Sequence, residues 1–119
     1  MDDEIEVRFF ANGNKRSEGA YRGGKKHGPW TLYYPNGNKM SEATFHEGLY
    51  TGLYTAYYEN GNKKWQGRYN DIRGVSADGT KDGEWLVWEP DGTLRQRITY
   101  KRGTKVETED YPSIDESAE

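Results

Sequence analysis

His27 and His46 are the only imidazoles in the 119-residue chain, and imidazole is the side chain whose ordinary pKa suits proton transfer near neutral pH. One is expected in a connecting turn and the other at the end of a strand. Neither the other histidine nor a serine stands at a spacing that suggests a relay. The run Asp78-Gly79-Thr80-Lys81-Asp82-Gly83, with Glu89 beyond it, puts Asp at positions 1 and 5, Gly at 6 and Glu at 12 of a calcium loop. Position 3 is Thr80, and the residues after Gly83 have strand character where a calcium loop of this kind needs a helix. Glu18 and Glu42 occupy one repeating position, but that position becomes Gln66 and Arg97. A general acid–base pair needs two carboxyls in one pocket with pKa values pushed apart. There is no Cys, which removes thiol nucleophiles, disulfides and Cys-ligated zinc. Lys25-Lys26, Lys63-Lys64 and Lys101-Arg102 alternate with Tyr and Trp, a composition that could bind single-stranded nucleic acid. Edge and loop lysines also keep sheets from aggregating, and the sequence pI is near 5.5. The expectation is a protein that is not an enzyme, with no metal, no cofactor and no nucleic-acid partner.

These side chains must be held by elements that a Leu-poor chain can build. Leu, Ile, Val and Phe are 16 of 119 residues, while Tyr and Trp number ten and four, and Gly 15. Aromatic rings bury roughly 150–250 Å² each, so a thin β-sheet covered by rings is the expected solution. Asn12-Gly13, Asn36-Gly37, Asn60-Gly61 and Asp91-Gly92 recur at steps of 24, 24 and 31 residues. Gly28, Gly52 and Gly83 keep one distance ahead of three of these turns, with Trp30, Tyr54 and Trp85 two residues after each glycine. Tyr21, Phe45, Tyr69 and Tyr100 follow the turns in the same register. Such a period means a stacked repeat.

Each unit reads as a β-hairpin. Asn-Gly favours a type I′ turn, with φ > 0 at both central residues, and Gly37, Gly61 and Gly92 are its structural glycines. Strands are expected near 5–10, 15–22, 28–34, 39–46, 52–58, 63–70, 83–89 and 94–101. The position held by Gly19, Ala43 and Gly67 is small in three units, leaving room for a ring against the backbone, and Ile98 ends the series. The fold class is all-β: an antiparallel meander of about eight strands in one elongated, curved sheet. It spans residues 1–106, with seven extra residues inserted within 70–82. Residues 107–119 hold six acids and have the composition of a disordered acidic tail. The opening MDDEIEVRFF has no basic and apolar segments of a secretory signal, and no stretch approaches the roughly 20 apolar residues of a membrane span. A cytoplasmic protein without membrane insertion is expected.

The units GPWTLYYPNGNKMSEATFHEG and GLYTAYYENGNKKWQGRYND resemble the bacterial variant of the MORN repeat. That unit is similar to Gly-x-Trp-x-x-Tyr-Tyr-x-Asn-Gly followed by a return strand ending in Tyr-x-x-Gly. Gly28, Trp30, Gly37, Gly52, Tyr54, Gly61, Gly83, Trp85 and Gly92 match its architectural positions. The first unit departs from it, with Glu4 and Glu6 where Gly and Trp belong. Proteins of this kind resemble the YwqK-family antitoxins, which implies an immunity protein or antitoxin that neutralises a toxin domain by binding it. The alternative implied is a general scaffold or membrane-peripheral module. Tyr33, Tyr57 and Trp88 on the sheet and Arg73 in the insertion are of the types that dominate interface energy. Ile72 and Val75 are apolar residues of a polar loop, suited to a partner's pocket, and the six are the expected partner-binding set.

Overall fold

The computed structural model describes residues 3–70 and 79–111. Nine strands form one antiparallel sheet in sequence order: β1 (Glu4–Phe9), β2 (Lys15–Arg22), β3 (Lys25–Tyr33), β4 (Lys39–His46), β5 (Leu49–Tyr57), β6 (Lys63–Tyr69), β7 (Lys81–Trp88), β8 (Leu94–Lys101) and β9 (Thr104–Asp110). The sheet is open, curved and elongated. It measures 59 × 40 × 14 Å, with a radius of gyration of 16.6 Å. A compact chain of this length would have a radius of gyration of about 13.5 Å. One layer of strands with side chains on both sides accounts for the 14 Å dimension.

Three strands begin earlier than the sequence suggests, because the glycine of Gly-x-Trp lies inside its strand. Gly28, Gly52 and Gly83 have φ of +78°, +64° and +73°, and each sits where the pairing register slips between Glu18 and Ala20, Glu42 and Thr44, or Gln66 and Arg68. The left-handed residue makes a bulge, and the strand continues past it. A Cβ at Gly28 or Gly83 would meet nothing within 4 Å, so these glycines serve backbone conformation.

The small-residue column serves space. A Cβ on Gly19 would lie 2.1 Å from the Trp30 ring, and one on Gly67 2.0 Å from the Trp85 ring. Both rings therefore lie flat on the preceding strand, where Trp30 Nε1 donates to the Ala20 carbonyl at 2.9 Å and Trp85 Nε1 to that of Arg68 at 3.0 Å. The middle unit has Tyr54 in the Trp position, and the column residue is Ala43. Among the described residues no such ring follows the last unit, and there Ile98 pairs with Thr108 of β9. Trp30 and Trp85 are 5% and 3% exposed. A chain of edge-on and stacked contacts runs Tyr21–Trp30–Phe45–Tyr50–Tyr69–Trp85–Tyr100, with centroids 4.7 to 6.5 Å apart. This ladder of rings is the core, and it covers one face.

The turns correct an expectation. Gly13, Gly37, Gly61 and Gly92 have φ near +90°, but Asn12, Asn36, Asn60 and Asp91 are not in the positive-φ region. Gly37 N–H donates to the Tyr34 carbonyl, and Tyr34 N–H donates to that of Asn38. This is a three-residue loop, a type I turn closed by a left-handed glycine. Pro35 suits its second position, since its ring presets φ there. Type I′ geometry appears instead between units, at Gly23-Gly24, Glu47-Gly48 and Arg102-Gly103, where both residues have φ > 0.

A second difference is β9, which carries the sheet through residues 104–110, past residue 106 where composition sets the end of the repeats. Its acids find partners on β8. Arg97 binds Glu109 at 2.9 Å, and Gln96 Nε2 donates to Asp110 at 2.7 Å.

Candidate interaction face

Across the sheet from the ring ladder, each unit builds one small polar cluster under an aromatic side chain. Alternation of side chains along a strand puts Glu18, Thr31, Tyr33, Glu42, Thr55 and Tyr57 together on this side. Tyr33 Oη donates to Glu18 at 3.3 Å, and Lys15 Nζ reaches the same carboxylate at 3.2 Å. One unit on, Tyr57 Oη donates to Glu42 at 2.5 Å and Lys39 Nζ binds it at 2.9 Å. The third unit keeps the lysine and changes the other two members. Gln66 replaces the glutamate and donates to Thr55 Oγ1 at 2.9 Å, and Lys63 lies 5.8 Å over the ring of Trp88. The Glu18–Glu42–Gln66–Arg97 position is thus a set of partners for side chains on neighbouring strands, more than solvated charge. The fourth member, Arg97, bridges Glu84 and Glu109.

The electrostatics follow this geometry. The Tyr57 hydroxyl first, then the Lys39 ammonium, hold the Glu42 carboxyl below its ordinary value. Burial, reinforced by the Glu42 charge, pushes the Tyr57 hydroxyl up to about 12. Such a tyrosine is a neutral donor at physiological pH, with its ring fixed in one orientation. Tyr33, Tyr57 and Trp88, named from sequence, therefore share one face and are half-buried. Ile72, Arg73 and Val75 lie outside the described residues. What the structure does show of the insertion is its root. Tyr69 pairs with Lys81, and Asn70 N–H donates to the Thr80 carbonyl at 2.7 Å, so the ladder is closed beneath the loop.

The two histidines come together, contrary to expectation. His27 lies in β3 and His46 at the end of β4, with ring centroids 5.3 Å apart. The register that opposes Gly28 to Phe45 extends by one residue to oppose them, and that signal was available in the sequence. Among the described residues no group of three or more His, Asp or Glu side chains could hold a metal ion. Lys26 and Lys64, each from one of the first two basic pairs, and Lys81 also have partners within the sheet. Lys26 lies 4.9 Å over Trp30 and 5.3 Å over Phe45, Lys81 lies 4.9 Å over Trp85, and Lys64 lies 4.8 Å over Trp65. Among the described residues no helix is long and apolar enough to cross a membrane.

Sequence reasoning missed a polar ladder along the turn edge. Asn12 and Asn14 both donate side-chain N–H groups to the Pro35 carbonyl, Asn36 and Asn38 to that of Glu59, and Asn60 and Asn62 to that of Pro90, all at 2.8 to 3.0 Å. Tyr34 and Tyr58 hydroxyls add bonds to the carbonyls of Tyr57 and Trp88. Each turn grips the next. The last turn has Asp91 and Thr93 in place of the two asparagines, and among the described residues no turn follows it on this edge.

The profile of the MORN repeat variant family matches residues 26–47, 50–71 and 81–102. These are the three units that carry Gly-x-Trp or Gly-x-Tyr; the first hairpin, with Glu4 and Glu6 there, is outside the match. No curated protein matches the chain as a relative.

Proposed function

The chain belongs to the MORN repeat variant family, and on that premise we propose that it is a protein-binding module that holds a toxin domain inactive in the cytoplasm, as an antitoxin or immunity protein. The observation that carries the binding part is the row Tyr33, Tyr57 and Trp88. Two of its side chains are anchored by carboxylates beneath them and the third is flanked by a lysine, so little rotamer freedom remains to be lost on binding. Aromatic anchors on a rigid support are the usual carriers of interface energy. The toxin assignment draws on the resemblance to YwqK-family antitoxins, and the cytoplasmic setting on a chain without Cys. A partner encoded beside the gene should co-purify with the full chain. Tyr57→Ala should weaken that complex by about 2 kcal/mol or more, roughly thirtyfold. Undiminished binding by Tyr33→Ala, Tyr57→Ala and Trp88→Ala variants that remain folded would move the site elsewhere. If the captured partner has no toxic activity alone, the toxin assignment fails while the binding face stands, and the alternative of a general scaffold is favoured.

A further inference from the structure

The strand that opens the sheet is its least guarded element. Ile5, Val7 and Phe9 of β1 are 78%, 37% and 59% exposed. Phe10 is bonded through both its N–H and its C=O to the first turn, so it faces β2. Backbone direction alternates along a strand, and Ile5, Val7 and Phe9 therefore turn their N–H and C=O groups to the open edge. An edge of this kind is a template for another strand.

The side chains of β1 are complementary to themselves. We propose that two copies of the chain pair through β1 in antiparallel register about a two-fold axis at Val7. Val7 then opposes Val7 of the second copy, Ile5 opposes Phe9 and Phe9 opposes Ile5, all on one face. On the other face Glu6 opposes Arg8 and Arg8 opposes Glu6. In the single chain Arg8 already reaches Glu6 at 3.1 Å, so the charges exchange partners across the axis. The three outward-facing residues of each copy exchange six backbone hydrogen bonds, and the result is one continuous eighteen-stranded sheet. The interface is isologous, so pairing closes at the dimer. The far edge is less suited to the same use. β9 offers the lone apolar Val106 and sets three acids, Glu107, Glu109 and Asp110, against Lys105, so its self-pairing gathers like charge.

The test is sedimentation equilibrium on the full chain. Wild type should dimerise, and Val7→Pro, which removes an outward N–H without touching the β1–β2 ladder, should be a folded monomer. Glu6→Arg and Arg8→Glu should each raise the dissociation constant at least tenfold, since each sets like charges opposite one another. The double variant E6R/R8E should restore it. A Val7→Cys chain should give a dimer with a short bismaleimide, and Val106→Cys should not. A wild-type chain that stays monomeric at millimolar concentration overturns the proposal, as does a dimer broken by Val106→Lys but indifferent to Val7→Pro. Failure of E6R/R8E to recover what the single variants lose overturns this register.

Discussion

Gly28 and Gly67 look alike in the sequence and do different work. Gly28 is needed for a left-handed backbone with open space around it, whereas Gly67 has ordinary φ and a Trp85 ring where its Cβ would be. Gly28→Ala should cost about 1–2 kcal/mol, the left-handed penalty of an L-residue. Gly67→Ala should cost about 1–3 kcal/mol or more by overpacking. Only the second should be relieved by shrinking the ring. The middle unit already joins alanine to tyrosine, at Ala43 and Tyr54, so Gly67→Ala with Trp85→Tyr should be more stable than Gly67→Ala alone. Urea midpoints for the four-member cycle measure this, and additive losses would show that the ring does not set the column. Tyr57 supplies a pH test. Burial and the Glu42 charge raise its folded-state value to about 12 against 10 in the unfolded chain. Below pH 10 neither state ionises it. Above that the unfolded chain loses the proton first, so stability is lost as pH rises from about 10 to about 12. Tyr69, raised to about 12 chiefly by burial, acts the same way. Tyr57→Phe should flatten the fall of the urea midpoint in that window, and an unchanged slope would mean that the hydroxyl does not couple to folding. At the acid end Glu42, whose value is lowered, contributes above its unfolded range near 4.5, and that contribution fades as pH falls below it.

At the scale of the element, period, strand number within a unit and the small column were all legible, because each is written in residues one strand apart. Turn type was not. Asn-Gly satisfies a type I′ loop and a type I turn with a left-handed glycine almost equally well on local grounds. What selects the latter is a carbonyl in the next hairpin, 21 to 30 residues away, that the Asn amides reach only from this turn. β9 was hidden for a related reason, since its acids are held by Arg97 and Gln96 of β8. Of the candidate site, Tyr33, Tyr57 and Trp88 could be placed on the sheet, but the carboxylates that orient two of them looked like a drifting surface column. The turn ladder predicts an asymmetry between identical-looking turns. Asn36→Asp keeps the oxygen that accepts from Asn38 N–H but loses the donor to Glu59 and brings negative charge to that carbonyl. A loss of about 1 kcal/mol is expected. Asp91, which among the described residues has no turn beyond it on this edge, should tolerate Asp91→Asn with a change of less than about 0.5 kcal/mol. Equal losses in thermal unfolding would remove the ladder as a stabilising feature.

For the molecule as a whole, the recurring contacts between elements run between strands adjacent in sequence, so stability is a sum over neighbours, as in other repeat proteins. A connection can then change length without disturbing the rest, provided the strands below it stay paired. The third connection meets that condition. Asn70 and Thr80 are bonded at the root of the loop, in the places where Arg22 and Lys25 flank the two-residue Gly23-Gly24 turn. Replacing residues 71–79 with Gly-Gly restores the 24-residue period and should leave the sheet intact, with a melting temperature within about 4 °C of the parent, equivalent to about 1 kcal/mol or less for a domain near this size. A collapse of stability would mean that the inserted residues hold the third and fourth units together. Binding separates the remaining possibilities. If the shortened chain binds the partner as tightly as the parent, the face of Tyr33, Tyr57 and Trp88 suffices and the insertion is slack. If it folds normally but loses affinity at least tenfold, Ile72, Arg73 and Val75 belong to the interface. The loop would then extend the contact beyond the period that built the sheet.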